Sequence, residues 1–210
     1  MKPIVGVDVD GVLANWNEGF RSLLASTTMR SLIPEGFDPP VWDYAPHYGY
    51  TAEECKATYA RMAASDFFWY GLAPLRGARA FATELSDRER SGEIDLYFIT
   101  QRVGLNVKAQ TEQWLRKFCT RQTVPTVLIA AHGKIGIAKD LGLTHFIDDK
   151  RETCVAMATM KPRVSVFMPE RAYNVGDFYP SGLTMLAKDD YAPFVTALDD
   201  YIAVFGEAAA

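Results

Sequence analysis

Three observations predict an α/β fold in which helices cover both faces of an open parallel sheet and a small helical cap is inserted after the first strand. Short β-branched apolar runs alternate with longer amphipathic stretches, the rhythm of repeated strand–helix units. The first run, Ile4-Val5-Gly6-Val7, leads into paired acids, Asp8 and Asp10, followed by Gly11. A long helical and aromatic stretch then interrupts the rhythm. Residues 17–74 therefore read as the cap, and residues 1–16 with 75–210 as the core domain.

Each element follows from local chemistry. The opening run is too short for a helix, and Asp8 and Asp10, two residues apart, project to the same side at strand period. Gly11 stands where a chain leaving a sheet turns sharply, a position that favours positive φ. Residues 15–29 repeat Trp16, Phe20, Leu23 and Leu24 at helical spacing, and Pro34-Glu35-Gly36 ends the pattern. An aromatic loop over residues 41–50 precedes a second helix that starts near Thr51, with Glu53 and Glu54 behind it, and runs to about residue 65. Phe67-Phe68-Trp69-Tyr70 comes next. Four adjacent aromatics cannot share one core, so at least one faces a cleft or an interface, or the group hinges two packed units. An interface there leaves room for a homodimer.

Pro74-Leu75-Arg76-Gly77 turns the chain into a helix over residues 78–85, and residues 88–93 read as a charged loop. Residues 94–100 form the second strand, ending in Thr100, and Asn106 caps a helix carrying Val107, Trp114, Leu115 and Phe118. Residues 124–130 form a third strand, His132-Gly133-Lys134 opens a helix through Leu141, and His145-Phe146-Ile147 is a fourth strand ending in Asp148-Asp149. A helix over residues 152–160, a fifth strand over 164–167, an irregular segment over 169–190 and an amphipathic helix bearing Phe194, Leu198 and Phe205 complete the chain. Residues 208–210 are expected to fray.

With 210 residues, about half of them apolar, the chain can bury a core unaided. A net charge of -4 argues against a partner of polymeric nucleic acid and leaves a small anionic ligand compatible. Cys55, Cys119 and Cys154, odd in number and widely spaced, suit reduced thiols better than a disulfide framework or a zinc site. No apolar run approaches membrane-spanning length, and the first ten residues carry two acids and no secretory pattern. A cytoplasmic location without a membrane partner is expected.

In an open parallel sheet the carboxyl ends of the strands share one edge, where ligands bind. That edge would gather Asp8, Asp10, Thr100, Lys134 and Asp148-Asp149. Two anions held close on a buried strand repel unless a cation or a shared proton relieves them, and oxygen-only ligands there suggest Mg²⁺. One nucleophilic carboxylate, one hydroxyl, one lysine and an acid pair make up the kit of phosphoryl transfer, which depends on positioning and charge neutralisation.

The order Asp8-x-Asp10-Gly11, Thr100, Lys134 and Ile147-Asp148-Asp149 resembles the four motifs of the haloacid-dehalogenase superfamily of phosphohydrolases. Within it, Asp8-Val9-Asp10-Gly11-Val12-Leu13-Ala14, Phe67-Phe68-Trp69 and Pro74-Leu75-x-Gly77-Ala78 are similar to the 5'(3')-deoxyribonucleotidases, as is Arg171-Ala172-Tyr173-Asn174. The resemblance implies that Asp8 attacks phosphorus to form an aspartyl-phosphate, and that Asp10 protonates the leaving alcohol and then deprotonates water. It implies that Thr100 holds a phosphoryl oxygen and that Lys134 neutralises the intermediate, with Lys139 as its competitor. The Mg²⁺ shell would comprise Asp8, the backbone carbonyl of Asp10 and either Asp148 or Asp149, the other acid orienting Lys134 or a metal water. Phe67, Phe68 and Trp69 would stack a base. Gln101 and Arg102 would face the substrate, unless Arg102 forms a surface salt bridge. The implied activity is Mg²⁺-dependent hydrolysis of a small-molecule phosphate, most readily a nucleoside monophosphate. A phosphatase for another small phosphate, such as a sugar phosphate, and a non-catalytic nucleotide-binding module are the alternatives.

Overall fold

Six strands, β1 (Ile4–Val7), β2 (Asp95–Thr100), β3 (Val127–Ile129), β4 (His145–Ile147), β5 (Ser165–Pro169) and β6 (Leu183–Leu186), form one sheet in the order β3-β2-β1-β4-β5-β6. Every pairing is parallel. The structure, a computed structural model, describes residues 1–117, 119 and 124–205. Helices α1 (Trp16–Thr28), α2 (Ala52–Ala63) and α3 (Phe68–Gly71) lie between β1 and α4 (Ala78–Ser91). Helices α5 (Val107–Leu115), α6 (Lys134–Leu141), α7 (Arg151–Ala158) and α8 (Ala192–Phe205) follow.

The strands read as apolar runs because both faces of the sheet are covered. Val5, Val7, Leu96, Phe98 and Ile147 pack with Phe81, Leu85, Trp114 and Phe194, which puts α4, α5 and α8 on one side. Ile99, Phe146 and Val166 pack with Ala138, Cys154 and Met157, which puts α6 and α7 on the other. Neighbouring residues of one strand, such as Phe98 and Ile99, thus enter opposite layers, as the pleat requires. The chain passes from β1 to β2 on one side and reaches β4 on the other. The order of the strands therefore reverses between β1 and β4, and a crevice opens beyond their carboxyl ends.

The stretch between β1 and α4 leaves and re-enters through a two-strand stalk. Asn15 N donates to Ala73 O and Leu75 N to Leu13 O, both at 2.8 Å. The predicted starts of α1 and α2 are present. The Asn15 side chain accepts from Glu18 N, and Thr51 forms a capping box with Glu54.

Four expectations are corrected. Helix α4 does not end near residue 85 but runs to Ser91, so much of the expected charged loop is its last turn. Arg88 is tied there to Glu84, one turn back, at 3.0 Å and to Asp199 at 2.6 Å, and Gly92 at φ 84° supplies the stop. The segment over 169–190 contains β6, an edge strand paired to β5, too short to announce itself by alternation. Asn106 adopts the left-handed region and makes no side-chain cap; its amide donates to Asp66 Oδ1 at 3.0 Å. The third strand contracts to Val127–Ile129 because Pro125, without an N–H, cannot extend the ladder. Phe118 and residues 208–210 lie outside the described residues. Among the described residues no helix is long and apolar enough to cross a membrane, and all three cysteines are free and buried.

Candidate active site

The site is built where β1 and β4 end side by side. Asp8 follows β1 directly, and its amide donates to Ile147 O at 2.9 Å, which brings it against the acids that follow β4. Lys134, the first residue of α6, places Nζ 2.7 Å from Asp8 Oδ2 and 2.7 Å from Asp148 Oδ2. The remaining oxygens are held by backbone. Val9 N donates to Asp8 Oδ1 at 2.6 Å, and Lys150 N to Asp148 Oδ1 at 2.7 Å.

Asp8, Lys134, Asp148 and Asp149 are all buried. Burial pushes the Asp8 carboxyl well above the ordinary carboxylate range; Lys134 opposes this, and the neighbouring acids add to it. Burial pulls the Lys134 ammonium down, but Asp148 and Asp8 outweigh it and hold the lysine above its usual value. Burial, and then Asp148, push Asp149 up to about 7, against the Tyr173 hydrogen bond, Lys134 and Arg171.

Asp149 is set by the loop after β5. Tyr173 donates its hydroxyl to Asp149 Oδ2, and Asn174 Nδ2 donates to Asp149 O at 2.8 Å. Arg171 ties the same loop to the turn after Asp10 by donating from Nη2 to Gly11 O at 2.9 Å. Gly11, at φ 75°, is needed twice: a Cβ there would lie 1.9 Å from Asp149 Oδ2.

These residues fit a divalent cation. Three carboxylates facing one ammonium leave an excess of buried negative charge, and donor oxygens of Asp8, Asp148 and Asp149 lie within 4.8 Å of one another. Asp149 Oδ1 is buried with no hydrogen-bond partner among the described residues. Both Asp148 oxygens, by contrast, are engaged by Lys134 and Lys150 N. A set of oxygen donors alone suits a hard ion such as Mg²⁺.

Asp10 lies in a second ion pair. Arg102 donates from Nε to Asp10 Oδ2 at 2.9 Å and from Nη2 to Oδ1 at 2.7 Å, while Nη1 donates to Thr111 Oγ1 at 3.0 Å. Thr100 Oγ1 is 3.5 Å from Asp10 Oδ2. The Arg102 side chain is 0 % exposed, so the pair is not the surface salt bridge that the sequence allowed.

Above the acids lies a cavity of about 240 Å³ walled by Trp16, Trp42, Tyr59, Trp69 and Tyr173. Of the residues singled out in the sequence, Asp8, Asp10, Thr100, Gln101, Arg102, Lys134, Asp149 and Trp69 line it, and Asp148 stands behind Lys134. Lys139 is exposed and away from the acids. Phe67 and Phe68 are not brought to the cavity. Phe67 is 74 % exposed, and Phe68 packs edge-on against Trp69 with ring centroids 4.9 Å apart. Successive residues of a helical turn point about 100° apart, so one of the three aromatics faces inward.

Sequence reasoning missed Trp16, Trp42 and Tyr59 as wall residues. Trp16 read as part of a core stripe, and one face of it does stack on Phe20, at 4.8 Å and 12°. The available signal was its position, the first residue of a helix that starts at the sheet edge.

Solved structures share this architecture. A haloacid dehalogenase-like family hydrolase from Xanthomonas campestris is 12% identical, over 96% of this chain and 98% of that one, with a TM-score of 0.57. CbbY from Rhodobacter sphaeroides, in complex with phosphate, is 14% identical over 95% of this chain and 100% of that one, with a TM-score of 0.56. A protein from Thermotoga maritima provisionally named as a beta-phosphoglucomutase is 15% identical over 93% and 98%, with a TM-score of 0.51. The chain therefore has the haloacid-dehalogenase-like hydrolase fold. No protein-family model and no curated protein sequence matches it.

Proposed function

We propose that the chain is a Mg²⁺-dependent phosphomonoester hydrolase that works through an aspartyl-phosphate and acts on nucleoside monophosphates. The observation that carries the reading is the convergence of Asp8, Asp10, Lys134 and Asp149 beneath an aromatic cavity. Asp8 supplies the attacking oxygen: its bond to phosphorus forms as the bond from phosphorus to the ester oxygen breaks. Asp10 gives the departing oxygen its proton. It then takes one from a water whose oxygen bonds to phosphorus while the Asp8–phosphorus bond breaks, releasing orthophosphate. Lys134 offsets the charge on Asp8, and Asp148 holds that lysine in place. Thr100 binds a phosphoryl oxygen. Asp8, Asp149 and the Asp10 carbonyl would hold Mg²⁺, which when bound neutralises charge on the phosphoryl oxygens.

Residues 17–74 act as the cap that keeps water from the reacting centre. Trp16, Tyr59 and Trp69 offer flat apolar surfaces suited to a base, with Asn17 and Gln101 as polar neighbours. A sugar-phosphate hydrolase is the second reading, favoured by likeness to the protein named as a beta-phosphoglucomutase. A silent binding module would have no use for a buried, mutually repelling acid cluster.

Phosphate release from ribo- and deoxyribonucleoside monophosphates and from sugar phosphates, with Mg²⁺ and with chelator, tests the reading. A kcat/KM for nucleotides at least about tenfold above that for sugars is expected, which is the worth of one stacked base. Equal rates would remove the nucleotide preference, and no release from any ester would remove the enzyme.

A further inference from the structure

We propose that Arg102 is a positioning residue that fixes the Asp10 carboxylate at the reacting centre and does not itself bind the phosphate; this rests on the hydrolase reading. Three of its five N–H donors are already engaged, two of them on the Asp10 carboxylate. Nε and Nη2 grip both Asp10 oxygens, and Nη1 is held by Thr111. Its Cζ also lies over two indole rings, 4.8 Å from the Trp69 centroid and 5.9 Å from that of Trp114. Turning the fork towards a phosphate would break both Asp10 bonds and the stack together.

The brace extends beyond the arginine. Trp69 Nε1 donates to Val103 O at 3.1 Å, Trp69 N donates to Gln110 Oε1 at 3.1 Å, and Trp114 Nε1 donates to Leu72 O at 2.7 Å. Arg102 is thus clamped between the stretch that precedes α4 and helix α5, and Asp10 inherits that rigidity. The need is chemical. Asp10 serves two half-reactions from one place, giving a proton to the ester oxygen and later taking one from water, and a freely rotating carboxylate would meet neither atom reliably. Thr100, at 3.5 Å, is too distant to hold it alone.

The test compares phenyl phosphate, whose leaving group needs a proton, with dinitrophenyl phosphate, whose leaving group departs as a stable anion. Arg102→Lys should lower kcat/KM, which reports the steps up to departure of the leaving group, by about 100-fold on phenyl phosphate and by less than about tenfold on dinitrophenyl phosphate, while kcat falls on both because hydrolysis of the aspartyl-phosphate needs Asp10 as base whatever the ester. Asp10→Asn should show the same split, and adding Arg102→Lys to it should change nothing further. Should Arg102→Lys fail to give a cooperative melt, Thr111→Val, which deprives Nη1 of its acceptor, should show the same split at smaller size. Equal losses of kcat/KM on the two esters, no split with Thr111→Val, or a raised KM with kcat kept would overturn the assignment. A wild-type protein inactive on both esters and on nucleoside monophosphates as well would overturn the hydrolase reading beneath it.

Discussion

Replacing Asp149 by Asn should stabilise the metal-free protein and abolish its response to Mg²⁺. The residue is 2 % exposed, and burial followed by the Asp148 charge raises its carboxyl from an ordinary 3.8 to about 7. A carboxyl raised on folding contributes stability that is fully present below its unfolded value and is lost as pH rises through its folded value. At 1.36 kcal/mol for each unit of pKa difference, the rise corresponds to about 4 kcal/mol at neutral pH and above. Asn keeps an oxygen for the Tyr173 hydroxyl and does not ionise. Urea unfolding in chelator should therefore give a stability difference, variant minus wild type, near zero at about pH 4 and growing to about 4 kcal/mol by about pH 8. Taking the difference at each pH cancels titrating groups remote from Asp149, while Asp8, which the Asp149 charge helps to raise, relaxes in the variant and changes the difference in the same direction. Mg²⁺ should then restore the wild type by about 2.7 kcal/mol at 100 times its Kd and leave the variant unmoved. A difference that is flat with pH, or equal stabilisation of both proteins by Mg²⁺, would refute the reasoning.

Asp8→Asn should reduce phosphate release to background while urea unfolding stays cooperative; turnover at the wild-type rate would end its role as nucleophile. Trp16→Ala should raise KM for a nucleotide about tenfold and leave glycerol phosphate unaffected, whereas Phe67→Ala should change neither. A loss confined to Phe67→Ala would put the base elsewhere. Burial lowers the His145 ring to about 4, so its contribution is present above the ordinary 6.5 and is lost as pH falls through 4, a change of about 3 kcal/mol. Acid titrations of stability should be flatter for His145→Gln than for wild type by about that amount, and parallel curves would contradict this.

The polar kit of the site was legible because its members stand at places that local pattern marks: Asp8 at the end of a β-branched run, Thr100 at the end of another, Lys134 at a helix start. One topological rule, that parallel strands end at a common edge, then brings them together without any distance being known. The partners of these residues were not legible. Asp10 and Arg102 are 92 positions apart, and nothing near either names the other. The short edge strand β6 and the last turn of α4 escaped for a related reason, since pairing to β5 and an ion pair to Asp199 decide them.

By itself, then, the sequence determined the layered α/β class and the acids, hydroxyl and lysine available for chemistry, because strand and helix periods are short-range properties of side-chain order. Only the tertiary structure decided that Trp16 and not Phe67 walls the cavity, that Asp149 keeps the unpaired oxygen while Asp148 holds the lysine, and that Arg102 grips an acid. Those outcomes depend on which surfaces remain after distant segments have packed, and burial, not residue type, sets the strength and direction of each charge.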